Sequence, residues 1–178
     1  MATVTGTPTY IMYGPCQITF DGTDLGYFKG GSTFRYDVTY IDVKPDQLSS
    51  KLKSFVTGEA CVLTVPMLET DLAKLTLVMP TGSYTLDGTK KKIQVGGDQL
   101  ASTDYKEVVL TETTDGSGTI STDSNTKVTI HSALAQIKLE KAYNMENERI
   151  VPVEFHGYAD TTNSAGNQLF ELGDATAT

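Results

Sequence analysis

Apolar and polar residues alternate along much of this chain with the period of two that a strand imposes on its side chains. The longest run is Ser32 to Lys44, STFRYDVTYIDVK. There Phe34, Tyr36, Val38 and Tyr40 share one face, and Arg35, Asp37 and Thr39 share the other. Such alternation predicts a strand with one packed and one wet face. The phase changes at Tyr40–Ile41, which predicts a bulge or a change of environment. CQITF (Cys16 to Phe20) is a second strand, and the hairpin dipeptide Asp21-Gly22 leads into a return strand, TDLGYF. EACVLTVPM (Glu59 to Met67), KKIQV, YKEVVLTETT, TKVTIHS, AQIKLEK and RIVPVEFHGYA continue the series. The turn signals between them are Gly96-Gly97, Asp115 to Thr119, and Asn144 to Asn147.

One stretch follows the other period. In ETDLAKLTLVMP, Leu68, Leu72, Leu75 and Met79 fall at i, i+4, i+7 and i+11, on one helical face. Glu69 and Asp71 suit the positive end of the helix dipole, and Pro80 stops the helix. The sum is roughly eight strands and one helix. It predicts a mainly β protein, an antiparallel β-sandwich or barrel with one flanking α-helix, in a single domain from residue 1 to 178.

Residues Asp46 to Val56, DQLSSKLKSFV, fit neither period cleanly. Leu48, Leu52 and Phe55 fall at i, i+4 and i+7, between Pro45 and Gly58. The segment reads as a short amphipathic helix or as a long ordered loop at a hairpin tip. It either folds back on its own domain or docks on another subunit. Both chain ends, MATVTGTPT and DATAT, are polar and rich in Thr and Ala. Such ends fray unless something ties them down, so extended arms held by neighbouring copies are the expectation.

Charge narrows the class. Fourteen basic residues against 22 acidic ones give a net charge of −8, which argues against a protein that grips nucleic acid. The two cysteines, Cys16 and Cys61, are too few for a disulfide scaffold and form no CxxC. They read as free thiols, with a disulfide within or between chains as the alternative. The N-terminus shows neither the basic nor the apolar region of a signal peptide, and the apolar runs are too short to cross a membrane.

Candidate chemistry thins out quickly. LGYFKGG (Leu25 to Gly31) has two glycines at phosphate-loop spacing, but Lys29 lies inside the loop and a strand follows it. A phosphate loop must open a helix. Gly30 and Gly31 are therefore read as a turn that supplies positive φ, or a bulge, ahead of the long strand. His131 and His156 lie on separate strands with no ligand at metal spacing, and each reads as a partly exposed strand residue. No GxSxG elbow occurs, and no carboxylate pair can be assigned to acid–base work. Lys90 to Lys92, the one basic run, reads as a solvated loop or a salt bridge to an acidic neighbour. The expectation is a protein that is not an enzyme and needs no cofactor or metal.

Four stretches in succession resemble a bacteriophage tail tube protein, also called a major tail protein. They are ITFDGTDLGYFKGGSTFRYDVTYIDVKPDQ (Ile18 to Gln47), EACVLTVPMLETDLAKLTLVMPTG (Glu59 to Gly82), NMENERIVPVEFHGYAD (Asn144 to Asp160) and GNQLFELGD (Gly166 to Asp174). Residues Ser83 to Asp123 lie outside the likeness, and the cysteines are not expected of that family. The resemblance implies a structural subunit whose hexameric rings stack into the hollow conduit for genome delivery into the host. It implies strands joined around the ring into an inner barrel, and a hairpin loop and termini that reach adjacent rings. It makes the loop at about 44–58 the inter-ring stacking element, carried by Asp46, Gln47, Leu48, Leu52 and Phe55. Arg35, Asp37 and Thr39 become the candidate lumen face. The partners implied are further copies of the chain, the tape measure protein and DNA in the lumen without specific binding, together with sheath, tail terminator and baseplate proteins. No membrane partner is implied, and the location implied is the virion tail, assembled in the host cytoplasm. Six copies at −8 each would carry −48 per ring, which would repel DNA from the wall. The alternative from another class is a monomeric β-sandwich binding module, carbohydrate-binding or adhesin-like. The absence of Trp counts against it.

Overall fold

The computed structural model describes residues 15–68, 71–97, 99–114, 119–140 and 148–177. The N-terminal arm, Glu69, Lys141 and the turn signals at 115–118 and 144–147 lie outside these residues. Among the described residues the chain is mainly antiparallel β with one short helix.

The first hairpin joins β1 (Cys16–Phe20) to β2 (Thr23–Asp24) through Asp21 and Gly22, with φ of 52° and 70°. Two consecutive positive φ values are what a tight two-residue hairpin turn needs. The return strand is shorter than the pattern TDLGYF predicts. After Asp24 the chain leaves β1, and Phe28 bridges to Met67 at the end of β4 (Lys53–Met67). Lys29 N donates to Pro66 O at 3.1 Å, and Leu68 N donates to Tyr27 O at 2.9 Å. Gly26, Gly30 and Gly31 all have positive φ, of 89°, 102° and 83°. The expected glycine turn ahead of the long strand is therefore present.

β3 (Thr33–Val43) pairs with β4 as a long hairpin. The register shifts between Thr39 and Tyr40, at the predicted phase change. Thr57 is the extra residue on β4, and its hydroxyl donates to Thr39 O at 3.2 Å. Residues 53–56 are thus strand, and only 44–52 form the tip, which corrects the helical reading of Asp46 to Val56.

Beyond α1 (Leu72–Leu77) come the separate hairpin β5 (Gly82–Asp87) and β6 (Lys90–Val95), then β7 (Lys106–Thr114) and β8 (Thr119–Ile120). β9 (Val128–Ile137), β10 (Val151–Gly157) and β11 (Phe170–Leu172) complete the chain. TKVTIHS and AQIKLEK, read as two strands, merge into β9. The main sheet runs β2-β1-β7-β9-β10-β4-β3, with β8 beside β7 and β11 beside β9.

This sheet cannot be flat. Four strands in a row, β1 to β10, would separate their ends by about 14 Å at the usual inter-strand spacing. Yet the rings of Phe20 on β1 and Phe155 on β10 stand 5.0 Å apart. The three residues between Asp24 and Phe28 also link one sheet edge to β4. The sheet therefore curls on itself, as the sandwich or barrel expectation requires. Inside it Ile18, Phe20, Leu25, Leu63, Val65, Met67, Val108, Ile130, Val151, Val153 and Phe155 are buried. Each large apolar side chain buried there contributes about 1.5–3 kcal/mol. Leu75 seals one flank with Leu72 and Val78, and Met79 is also buried, so the predicted helical stripe faces inward.

Candidate interaction surface

The long hairpin changes character along its length. On β4, Cys61, Leu63, Val65 and Met67 are buried in alternation, whereas every residue from Lys53 to Ala60 is exposed. Only Phe34 and Val38 on β3 are half-buried. Tyr36 and Tyr40, expected on a packed face, are exposed because the strand runs past the body of the domain. At the point of departure Phe170 of β11 stacks edge-on against both Phe34 and Tyr36, at 5.1 and 5.0 Å. Tyr36 Oη donates to Glu59 Oε1 at 2.7 Å, a bond that pushes the phenol's pKa up.

Beyond this base the hairpin leaves large apolar side chains exposed among the described residues. Tyr40 is 61% exposed, Ile41 57%, Phe55 47% and Val56 54%. The register pairs Tyr40 with Val56 and Ile41 with Phe55. Partners in an antiparallel pair project to the same side, and successive pairs alternate. One apolar rung therefore faces each side of the hairpin. The next rung outward, Asp42 with Ser54, is polar, and Ser54 Oγ donates to Asp42 Oδ1 at 2.5 Å. Lys51 pairs with the same carboxylate, and together they hold Asp42 below the ordinary aspartate range. Lys53 Nζ lies 4.7 Å from the centre of the Phe55 ring, a cation–π contact. The tip is tied by Leu52 N to Val43 O at 2.9 Å and Leu48 N to Pro45 O at 3.0 Å.

Of the stacking residues read from the sequence, Asp46 and Gln47 sit in this tip turn and are exposed. Leu48 and Leu52 are exposed beside them, and Phe55 lies on β4. Tyr40, Ile41, Val43 and Val56 are exposed on the two faces of the same hairpin and were not among the residues read as stacking. The adjacent apolar pairs Tyr40-Ile41 and Phe55-Val56 were the available signal, because a strand covered on both faces reads as an apolar run.

Arg35, Asp37 and Thr39 do share the opposite, exposed face of β3. Arg35 Nε pairs with Asp37 Oδ2 at 2.7 Å, so their charges cancel and this face adds no net negative charge. The outer edge of β3 carries no further strand among the described residues. Its unpaired N–H and C=O groups are a template for another strand.

The remaining candidates resolve into structural roles. Lys29 reaches Glu148 at 2.5 Å, and this contact lowers the Glu148 pKa. Lys91 bridges to Asp71 at 3.0 Å, which fits the salt-bridge reading of the basic run. His131 Nε2 meets Asn167 Oδ1 at 3.0 Å, and His156 Nε2 meets Glu154 Oε2 at 3.2 Å; both rings are partly exposed on their strands. No group of three metal-ligating side chains occurs among the described residues. Cys16 and Cys61 are both free thiols, and burial raises the pKa of each. An open crevice of about 350 Å³ lies between α1 and the sheet, lined by Phe20, Leu77, Tyr84, Asp104 and Lys106 among others. Lys106 there is engaged by Asp21 at 2.7 Å. No described helix is long and apolar enough to cross a membrane.

No family model matches the chain. No curated protein matches it either. Among solved structures, one similar chain comes from the cryo-EM structure of the anti-feeding prophage (AFP) baseplate, 6-fold symmetrised. It is 10% identical, with a TM-score of 0.36 over 88% of this chain and 91% of that one. At that TM-score the likeness is loose, and neither fold nor function is carried across from it.

Proposed function

We propose that this chain is a structural subunit of a bacteriophage tail tube, with hexameric rings stacked into the conduit for genome delivery. The observation that carries the reading is the projecting hairpin, whose apolar rungs stand clear of the domain that makes them. A monomer gains nothing from such a surface, which invites association. An elongated projection on one end, with its acceptor elsewhere on the same surface, makes a heterologous contact. Contacts of that kind generate closed rings or open stacks. The free edge of β3 offers strand-to-strand joining around a ring. The resemblance of four sequence stretches to tail tube proteins supplies the specific identity, and the curled antiparallel sheet with a flanking helix agrees with it. In this reading the subunit is no enzyme and DNA passes without specific binding. The tape measure protein lies in the lumen, and the tail is completed by terminator, baseplate and sheath proteins.

The test is the triple substitution Leu48→Ser, Leu52→Ser and Phe55→Ser. All three side chains are exposed in the single chain, so the variant is expected to keep the wild-type far-UV dichroism and melting temperature. Its assemblies, followed by sedimentation velocity at rising concentration, should be lost while the wild type forms large species. Equal growth by both proteins would remove the hairpin from the contact.

A further inference from the structure

We infer that the hairpin inserts between two neighbouring copies of this chain, one covering each face, and does not lie flat on a single partner. The inference rests on the tail tube reading for its occupant and goes beyond it in the number and placement of contacts. The rung Tyr40–Val56 and the rung Ile41–Phe55 project to opposite sides, and both are about half exposed or more. One flat partner can cover only one of them. The other would remain in water at the same apolar cost as in the monomer. A two-stranded ribbon is also marginal by itself in water and needs packing to hold its shape. Burial on both sides would supply it.

Charge selects a further copy of the chain as the occupant. Residues 40–56 contain Lys44, Lys51 and Lys53 against Asp42 and Asp46, a net of +1. The rest of the chain then has 11 basic and 20 acidic residues, a net of −9. The hairpin end is thus basic against an acidic body, and attraction favours its insertion into copies of that body. The cluster Asp42, Lys51 and Ser54 is internally satisfied. This leaves Lys44, together with Lys53 on the Phe55 ring, as the cations that would meet acidic groups of the neighbours.

The experiment places a photo-crosslinking benzoylphenylalanine at Val56, at Phe55, or at both, in the full-length protein. The labelled chain is diluted into a large excess of unlabelled wild type, assembled and irradiated. Each single label is expected to give covalent dimers, with the two sites joined to different segments of the acceptor in peptide mapping. The double label is expected to give covalent trimers, because one hairpin then reaches two chains. Dimers alone from the double label, in material that does assemble, would overturn the two-sided insertion and leave the tail tube reading intact. Failure of unlabelled wild type to assemble at all would overturn both.

Discussion

Gly157 closes the pairing of β10 with β9 beside the buried thiol of Cys61. A Cβ at Gly157 would overlap Cys61 Sγ and come within 3.1 Å of Ile130 Cγ2. Gly157→Ala should therefore destabilise the fold by about 1–3 kcal/mol, the usual cost of overfilling a packed core. Denaturant midpoints should show the loss. Adding Cys61→Ala should recover part of it, because it removes the nearer clash and leaves Ile130. An additive double mutant would mean that the two side chains do not meet. The same burial makes Cys61 unreactive. Alkylation of the native protein should modify Cys16, which is half-buried, well before Cys61, and unfolding should expose both. Neither residue's packing was legible beforehand, because their neighbours are set by register between strands about a hundred residues apart in sequence.

At the scale of elements, the tip of the long hairpin carries its own lock. Lys51 and Ser54 hold Asp42 below its ordinary value of 3.8. A carboxylate with a lowered folded pKa stabilises above the unfolded value and loses that contribution as pH falls through the folded one. Tip order should thus be constant at neutral pH and lost only in acid below 3.8. Hydrogen exchange at Leu52 N–H, which bonds Val43 O, reads this directly. Asp42→Asn should show the same faster exchange already at pH 7. Protection that is identical in the two proteins would remove Asp42 from the lock. The elements themselves were legible to differing degrees. The period of two located β3 and its bulge, and the spacing of leucines located α1 and its buried face. At the tip the helical alternative failed and the hairpin-loop alternative held for 44–52: Leu48, Leu52 and Phe55 mimic helical spacing, but cross-strand pairing with β3 makes 53–56 strand. The three residues of β11 escaped notice, since a strand that short has no period to detect. Its role, packing Phe170 under the hairpin base, is wholly tertiary.

For the whole molecule, composition spoke about exclusion more than about purpose. A net charge of −8 set the chain apart from nucleic-acid binders, and purified assemblies should accordingly show no salt-dependent retention of duplex DNA in filter binding. Tight retention at low salt that weakens with added salt would contradict passage of DNA without binding. The closure of the sheet could not be read from any one segment. It depends on Phe28, just after the edge strand β2, reaching Met67 on β4 near the other end of the strand order. Association carries the proposal, because among the described residues nothing covers the apolar rungs of the hairpin and no further strand pairs with the outer edge of β3. Electron microscopy of the purified chain at high concentration tests it most directly. Stacked rings or hollow tubes with sixfold symmetry about the axis are expected. A protein that stays strictly monomeric, even when seeded with tail initiator complexes, would contradict it.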